Sequence, residues 1–333
     1  MGYPNIALLA DAVAKGRELY KNAQFEDAAQ YICPALKQIW KDILSDNDVK
    51  GVSPSAFAKL FQLAGDIYGE LNMQDDALQF YKVHQFLKMQ LKHDFEKEHE
   101  ITVYQFRNDK SEYSFTNLAN REVTLTKPKL FNDIVDTPVF AWLNSSCGKS
   151  SQFKGHLQSY KDSFNWYRAM CFCSDSKNRK AVENTLMWAH YANSHKGFCI
   201  EYRLGEPDFR TDSKLNLSAS RMFKITYKDQ YKEPLDFSNP DTTLCARTAF
   251  AYKSKDWGYE NEVRIVSYNP LIDDDHVQYK LQTKHPVKAI YFGFNCADDV
   301  KKRVRNILKD EDVKYYQMQF DEKNIHRLIF SEI

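Results

Sequence analysis

Net charge is almost absent from this chain: 46 lysines and arginines stand against 45 aspartates and glutamates, leaving +1 over 333 residues. Composition therefore gives no basis for a bulk electrostatic pull toward nucleic acid or an acidic membrane. Long apolar runs are missing as well, because charges interrupt each one within a few residues, so no membrane span is expected. The start, Met1-Gly-Tyr-Pro-Asn5, lacks the basic region and apolar stretch of a secretory signal, and Ile6 stands where a myristoylation motif needs Ser or Thr. The seven cysteines are scattered and odd in number, which points to reduced thiols and a cytoplasmic protein. Cys171-Phe-Cys173 is the only close pair and is too tight for a zinc knuckle, so no metal site is expected. Neither the GxGxxG dinucleotide fingerprint nor the GxxxxGK[ST] phosphate loop occurs.

Aromatic side chains are plentiful, at 14% of the chain with 20 Tyr and 22 Phe, which suits a packed fold. The length allows two domains, and the pattern changes near residue 98. Residues 1–98 read as helical, with two similar segments. Gly16 precedes Ala28 by 12 residues, and Gly65 precedes Ala77 by the same interval. Large residues sit at matching offsets, as where antiparallel helices approach closely. This spacing resembles tetratricopeptide repeats, although the period is 49 residues rather than about 34. The resemblance implies helical hairpins that bind a protein or peptide partner, and a helical bundle that only braces the second domain is the equal alternative.

Residues 99–333 read as an α+β domain with a mainly antiparallel sheet. Strands are expected at 101–107, 123–125, 170–173, 198–202, 223–227, 263–268, 277–281, 289–292 and 315–320. Helices are expected at 152–165, 184–196, 244–254 and 297–309. In the helix over 184–196, Asn184 or Thr185 is the cap, and Gly197 suits the left-handed position past the end. Trp188, Tyr191 and His195 recur at helical steps and share a face, while His190 lies on another. Strand spacing over 260–264 puts Glu260, Glu262 and Arg264 on one side, where the arginine can orient a carboxylate.

Several segments together resemble the bacterial family catalogued as domain of unknown function 2971. They are Tyr104-Gln-Phe-Arg107, Leu130-Phe-Asn132-Asp133 with Asp136, Met170-Cys-Phe-Cys-Ser174, Met187-Trp-Ala-His190-Tyr191, His195-Lys-Gly197, Lys255-Asp-Trp257-Gly-Tyr-Glu260-Asn-Glu262-Val-Arg264 and Ala289-Ile-Tyr-Phe-Gly293. The resemblance spans roughly residues 101–300 and implies a bacterial setting, often phage defence or mobile elements, with a toxin-like effector as one form. Two segments depart from the family pattern, Asn132-Asp-Ile-Val-Asp136 and the lengthened Cys171-Phe-Cys-Ser174. A more distant resemblance is to ADP-ribosyltransferases, through an early arginine, a central serine, histidine or tyrosine, and a late Glu-x-Glu. It implies NAD as substrate, with Glu262, Glu260 and His190 as catalytic residues. Arg107, Ser174, Trp188, Tyr191, His195 and Arg264 would then bind the dinucleotide.

Glycosyl transfer from NAD needs a fixed carboxylate beside a cation-like ribose, an aromatic wall for nicotinamide and a cation for pyrophosphate. Glu262, Tyr191 or Trp188, and Arg107 are the residues for those roles. A second reading is a metal-dependent nuclease or hydrolase built on His190, His195, Asp133 and Asp136. A third is a non-catalytic sensor whose aromatics are core. Cys171 or Cys173 with His190 would make a cysteine hydrolase, but cysteine beside phenylalanine is more often inert packing. The basic run Lys301-Lys-Arg-Val-Arg305 is read as the wet face of a helix.

Overall fold

The computed structural model describes residues 6–44, 54–89, 99–133, 136, 154–213, 216–229 and 250–333. Four helices come first: α1 (Ile6–Lys21), α2 (Phe25–Leu44), α3 (Pro54–Glu70) and α4 (Gln74–Met89). They pair as two hairpins. Each hairpin turns on a left-handed residue, Ala23 at φ 56° and Asn72 at φ 58°. The two glycines expected at close approaches do sit there, but unequally. A methyl group on Gly16 would meet Ile32 at 3.4 Å, an ordinary contact, whereas one on Gly65 would lie 2.6 Å from the Tyr81 ring. That ring is buried and its hydroxyl donates to Asp66 at 2.6 Å, so it has little freedom to yield. Gly65→Ala should therefore destabilise the protein by about 1–3 kcal/mol through overpacking. Gly16→Ala should be neutral or stabilising by up to about 1 kcal/mol through helix propensity. Urea unfolding of the two variants checks the contrast, and equal effects would refute the packing argument.

The described residues after α4 are built on one eleven-stranded sheet. Its strands are β1 (Glu100–Arg107), β2 (Glu122–Thr126), β3 (Tyr167–Cys173), β4 (Phe198–Gly205), β5 (Arg210–Ser213), β6 (Ser218–Lys224), β9 (Glu262–Tyr268), β10 (His276–Lys280), β11 (Val287–Phe292), β12 (Lys314–Asp321) and β13 (Asn324–Glu332). The short strands β7 (Thr226–Tyr227) and β8 (Tyr252–Lys253) pair separately. The main order is β13-β12-β11-β4-β1-β3-β9-β6-β5, with β2 joining β3 and β10 joining β2. Within the main sheet pairing is antiparallel except between β11 and β12, which are connected by a helix over Asp298–Ile307; β7 and β8 pair in parallel. The architecture is α+β. No described helix is long and apolar enough to cross a membrane.

The break near residue 98 is not a break in the core. Tyr81, Phe86 and Met89 of α4 share one apolar cluster with Tyr160, Phe164, Tyr167, Phe223, Phe250, Val266 and Tyr268. Polar contacts cross the same boundary. The Tyr167 hydroxyl donates to Gln85 Oε1 at 2.5 Å, and that of Tyr268 to the Lys82 carbonyl at 3.1 Å. The helices also keep a core of their own around Ile32, Phe61 and Ile67.

Several expected elements differ. The helix over 184–196 stops at Tyr191, and Asn193, Ser194 and His195 are consecutive left-handed residues. Gly197 is not the left-handed residue; it is small because an added Cβ would fall 2.0 Å from the Arg107 carbonyl oxygen. Of the helix expected over 244–254, residues 244–249 lie outside the described residues, and Tyr252–Lys253 is a strand. Strand β9 begins only at Glu262, after a 3₁₀ segment over Lys255–Glu260 and a left-handed Asn261 at φ 45°. Strand spacing therefore does not govern Glu260.

Candidate functional site

The site arises where two neighbouring strands part. β1 faces β3 through a single pair, Tyr104 with Cys173, and β2 meets β3 only at Thr126 with Ala169. Between these two points lies a cavity of about 340 Å³. β1 supplies Gln105 and Arg107, β3 supplies Cys171, and the segment after Pro128 supplies Phe131, Asn132 and Asp136. The short helix Thr185–Tyr191 adds Tyr191, and Lys253, Glu260 and Glu262 complete the acidic side.

That side is a buried ionic network. Lys253 Nζ lies 2.7 Å from Glu260 Oε2, 3.2 Å from Glu262 Oε2 and 3.4 Å from Asp136 Oδ2. Arg264 donates through Nε to Glu262 Oε1 at 2.5 Å and through Nη2 to Glu262 Oε2 at 3.0 Å. The same Nη2 reaches Asp136 Oδ2 at 2.7 Å. Three carboxylates thus share two cations, all of them at most 5% exposed as side chains. The Glu262 backbone N–H donates to the Tyr227 hydroxyl at 2.8 Å, which pins the start of β9.

The two glutamates are electrostatically different. Burial alone would raise the Glu262 carboxyl, but Arg264 and Lys253 outweigh it and hold the group at about 2, against an ordinary 4.5. Glu262 is thus a permanent anion with a fixed rotamer. Burial raises Glu260 above its ordinary value despite Lys253. Its Oε1 accepts the Tyr191 hydroxyl at 2.6 Å, so Glu260 positions an aromatic ring of the cavity wall. Burial disfavours the Lys253 ammonium, and Glu262, Asp136 and Glu260 more than restore it. The Cys171 and Cys173 thiols are pushed well up by burial, which makes them poor nucleophiles.

Arg107, Tyr191, Glu260 and Glu262 are brought to this one cavity, and Arg264 lies immediately behind it as the partner of Glu262. Four expected site residues are elsewhere. His190 is exposed, beside Tyr191 and Tyr259 but outside the cavity. Trp188 is fully buried core, donating to the Val182 carbonyl at 2.7 Å and packing edge-on against Phe106. His195 stacks on Trp188 from the left-handed turn. Ser174 is used by the backbone: its N–H and Oγ both meet the Asn261 carbonyl at 3.0 Å, and the Asn261 amide donates back. The helical period fails for His195, which lies in the left-handed turn beyond the end of the helix at Tyr191.

Sequence reading missed Lys253, Gln105 and Tyr227. A lysine placed in an expected helix two residues before Lys255 carries no sign that it will be buried among carboxylates. His190 and His195 do not converge on Asp136, and among the described residues no group of three or more His, Cys, Asp and Glu side chains is arranged to hold a metal ion.

A mainly antiparallel α+β domain with a charged cavity between diverging strands defines the general class. The model of a family described as protein of unknown function (DUF2971) matches residues 187–265, so this segment of the chain is similar to that family. The match runs from Met187 through Ile265 and so contains Tyr191, Lys253, Glu260, Glu262 and Arg264, the acidic half of the site. Searches of curated proteins and of solved structures find no match to this chain.

Proposed function

We propose that this protein cleaves the nicotinamide–ribose bond of NAD, as a glycohydrolase or an ADP-ribosyltransferase, in the cavity between β1 and β3. The observation that carries this reading is Glu262, an ionised carboxylate locked by Arg264 and Lys253 in the same cavity as Arg107. The bond breaks with its electron pair leaving on neutral nicotinamide, which leaves a cation-like ribose. A preorganised anion beside that carbon stabilises the developing charge without having to reorient. Water or an acceptor hydroxyl then adds, and its proton is released. Tyr191, held by Glu260, forms the aromatic wall for nicotinamide, and Arg107 is the cation for the pyrophosphate. A cavity of about 340 Å³ lies at the small end of ligand sites. It suits the nicotinamide ribose end of the dinucleotide, with the adenosine outside.

In this reading the N-terminal hairpins, tetratricopeptide-like in their glycine and alanine spacing, recruit a protein or peptide partner in a bacterial defence setting. The test is to incubate purified full-length protein with NAD and to follow nicotinamide and ADP-ribose by chromatography, with and without a cell extract as acceptor. Nicotinamide release that disappears in Glu262→Gln is the expected result. Intact NAD in both conditions would reject the proposal and favour the sensor reading.

A further inference from the structure

Two polar residues on β1, buried Gln105 and half-buried Arg107, carry buried atoms that are incompletely satisfied, and both line the cavity. Gln105 and Arg107 are two apart on an extended strand, so their side chains leave the same face about 6.5–7 Å from each other. Both line the cavity where β1 has lost β3 as a neighbour. Arg107 Nε and Nη2 are buried with no hydrogen-bond partner among the described residues, and so is Gln105 Oε1. Among the described residues, the Gln105 amide nitrogen has only the weak acceptor Met170 Sδ, at 3.4 Å. Buried polar atoms are rarely left without partners in a folded protein, and a cluster of them beside a cavity points to a ligand.

The unpaired atoms also specify the ligand's shape. Nε–H and Nη2–H project in parallel from one edge of a guanidinium and match two oxygens of one oxyanion. Arg264 uses these same two atoms to hold Glu262 within this site. Gln105 Oε1 accepts a hydrogen, so the group bound there must donate one. An oxyanion with a hydroxyl one strand repeat away is the chemistry this edge recognises.

We infer that Gln105 and Arg107 are the specificity-determining edge of the site and select a ribose phosphate. Arg107 takes two oxygens of one phosphate, and Gln105 takes a hydroxyl of the adjoining ribose. The choice of phosphate over a carboxylate rests on the NAD reading; the donor and acceptor pattern does not. The probe is ADP-ribose, which lacks the scissile bond, measured by calorimetry on the full chain against inorganic phosphate and glycerate. Arg107→Lys should weaken ADP-ribose and phosphate alike by roughly 10–100-fold, because an ammonium cannot form the paired contact. Gln105→Leu should weaken ADP-ribose about 5–10-fold and leave inorganic phosphate unchanged. Thermal unfolding verifies that both variants are folded, and Gln105→Leu, an apolar replacement beside Met170, keeps the test available if Arg107→Lys is not. Unchanged ADP-ribose affinity in Gln105→Leu, no binding to the parent protein, or tighter binding of glycerate would each overturn the inference. ADP-ribose binding that depends on both residues, with NAD left intact, would sink the cleavage reading and leave this one standing. NAD cleavage with an unaltered KM in both variants would do the reverse.

Discussion

A chain beginning at Glu98 should fail to reach a cooperative folded state. Loss of α4 removes Tyr81, Phe86 and Met89 from the cluster that contains Tyr167, Val266 and Tyr268. It also strips Gln85 and the Lys82 carbonyl from the hydroxyls of Tyr167 and Tyr268. Each large apolar side chain lost from a core costs about 1.5–3 kcal/mol, and the aromatics left behind become exposed surface. The total is on the order of 5–10 kcal/mol, comparable to the whole stability of an ordinary domain. The damage falls on the back of β9, whose first residues are the anchors of the ionic network. Circular dichroism and urea titration of the shortened chain should show a shallow, non-cooperative transition, with strong binding of a hydrophobic dye. A sharp transition near the parent midpoint would mean that the helices are a detachable module. The glycine and alanine spacing by itself suggests such a module; the shared core argues otherwise.

Glu262→Gln carries the second large effect, and it has two readouts. If the site cleaves NAD, turnover should fall by on the order of 10²–10³, the scale for losing one preorganised electrostatic group. Stability should fall as well, because Arg264 is fully buried and would lose a paired anion. Removing one partner of such a pair costs about 3–5 kcal/mol. The pH dependence separates this cost from generic damage. In the folded protein Glu262 titrates at about 2, below its ordinary 4.5. Its stabilising contribution is therefore complete above about pH 4.5 and is lost as the pH falls toward 2. The stability gap between parent and variant should be widest near neutrality and close through that acid window. A gap independent of pH would place the cost in packing rather than in charge. Glu260→Gln should be milder, since burial already disfavours that charge, and its main consequence should be a less restrained Tyr191.

Some parts of this molecule were legible from local chemistry. The hairpins follow from apolar periodicity with small residues at the crossings, and most sheet strands from runs of β-branched and aromatic residues. The cap role of Asn184 was legible too, and its side chain does accept the Leu186 N–H at 3.1 Å. These features depend on neighbours a few residues away. The Glu-x-Glu-x-Arg pattern was readable in the same way, but for a partly mistaken reason. Glu262 and Arg264 meet by strand spacing, whereas Glu260 arrives from a 3₁₀ turn through the left-handed Asn261.

The sequence by itself determined the class of elements, the near-neutral charge and the grouping of acids with an arginine around residue 262, because periodicity and composition are local quantities. Only the tertiary structure decided which of those residues form a site. The parting of β1 from β3 after one pair is a property of the whole sheet, and it opens the cavity that Gln105 and Arg107 line together with Glu262. Burial of Lys253 among Asp136, Glu260 and Glu262 joins segments more than 100 residues apart. Trp188 is excluded because that helix turns it into the core and His190 because it turns to solvent, whereas His195 is excluded because the helix ends one turn early. Side-chain direction repeats regularly only while the backbone does, and three successive left-handed residues end that regularity.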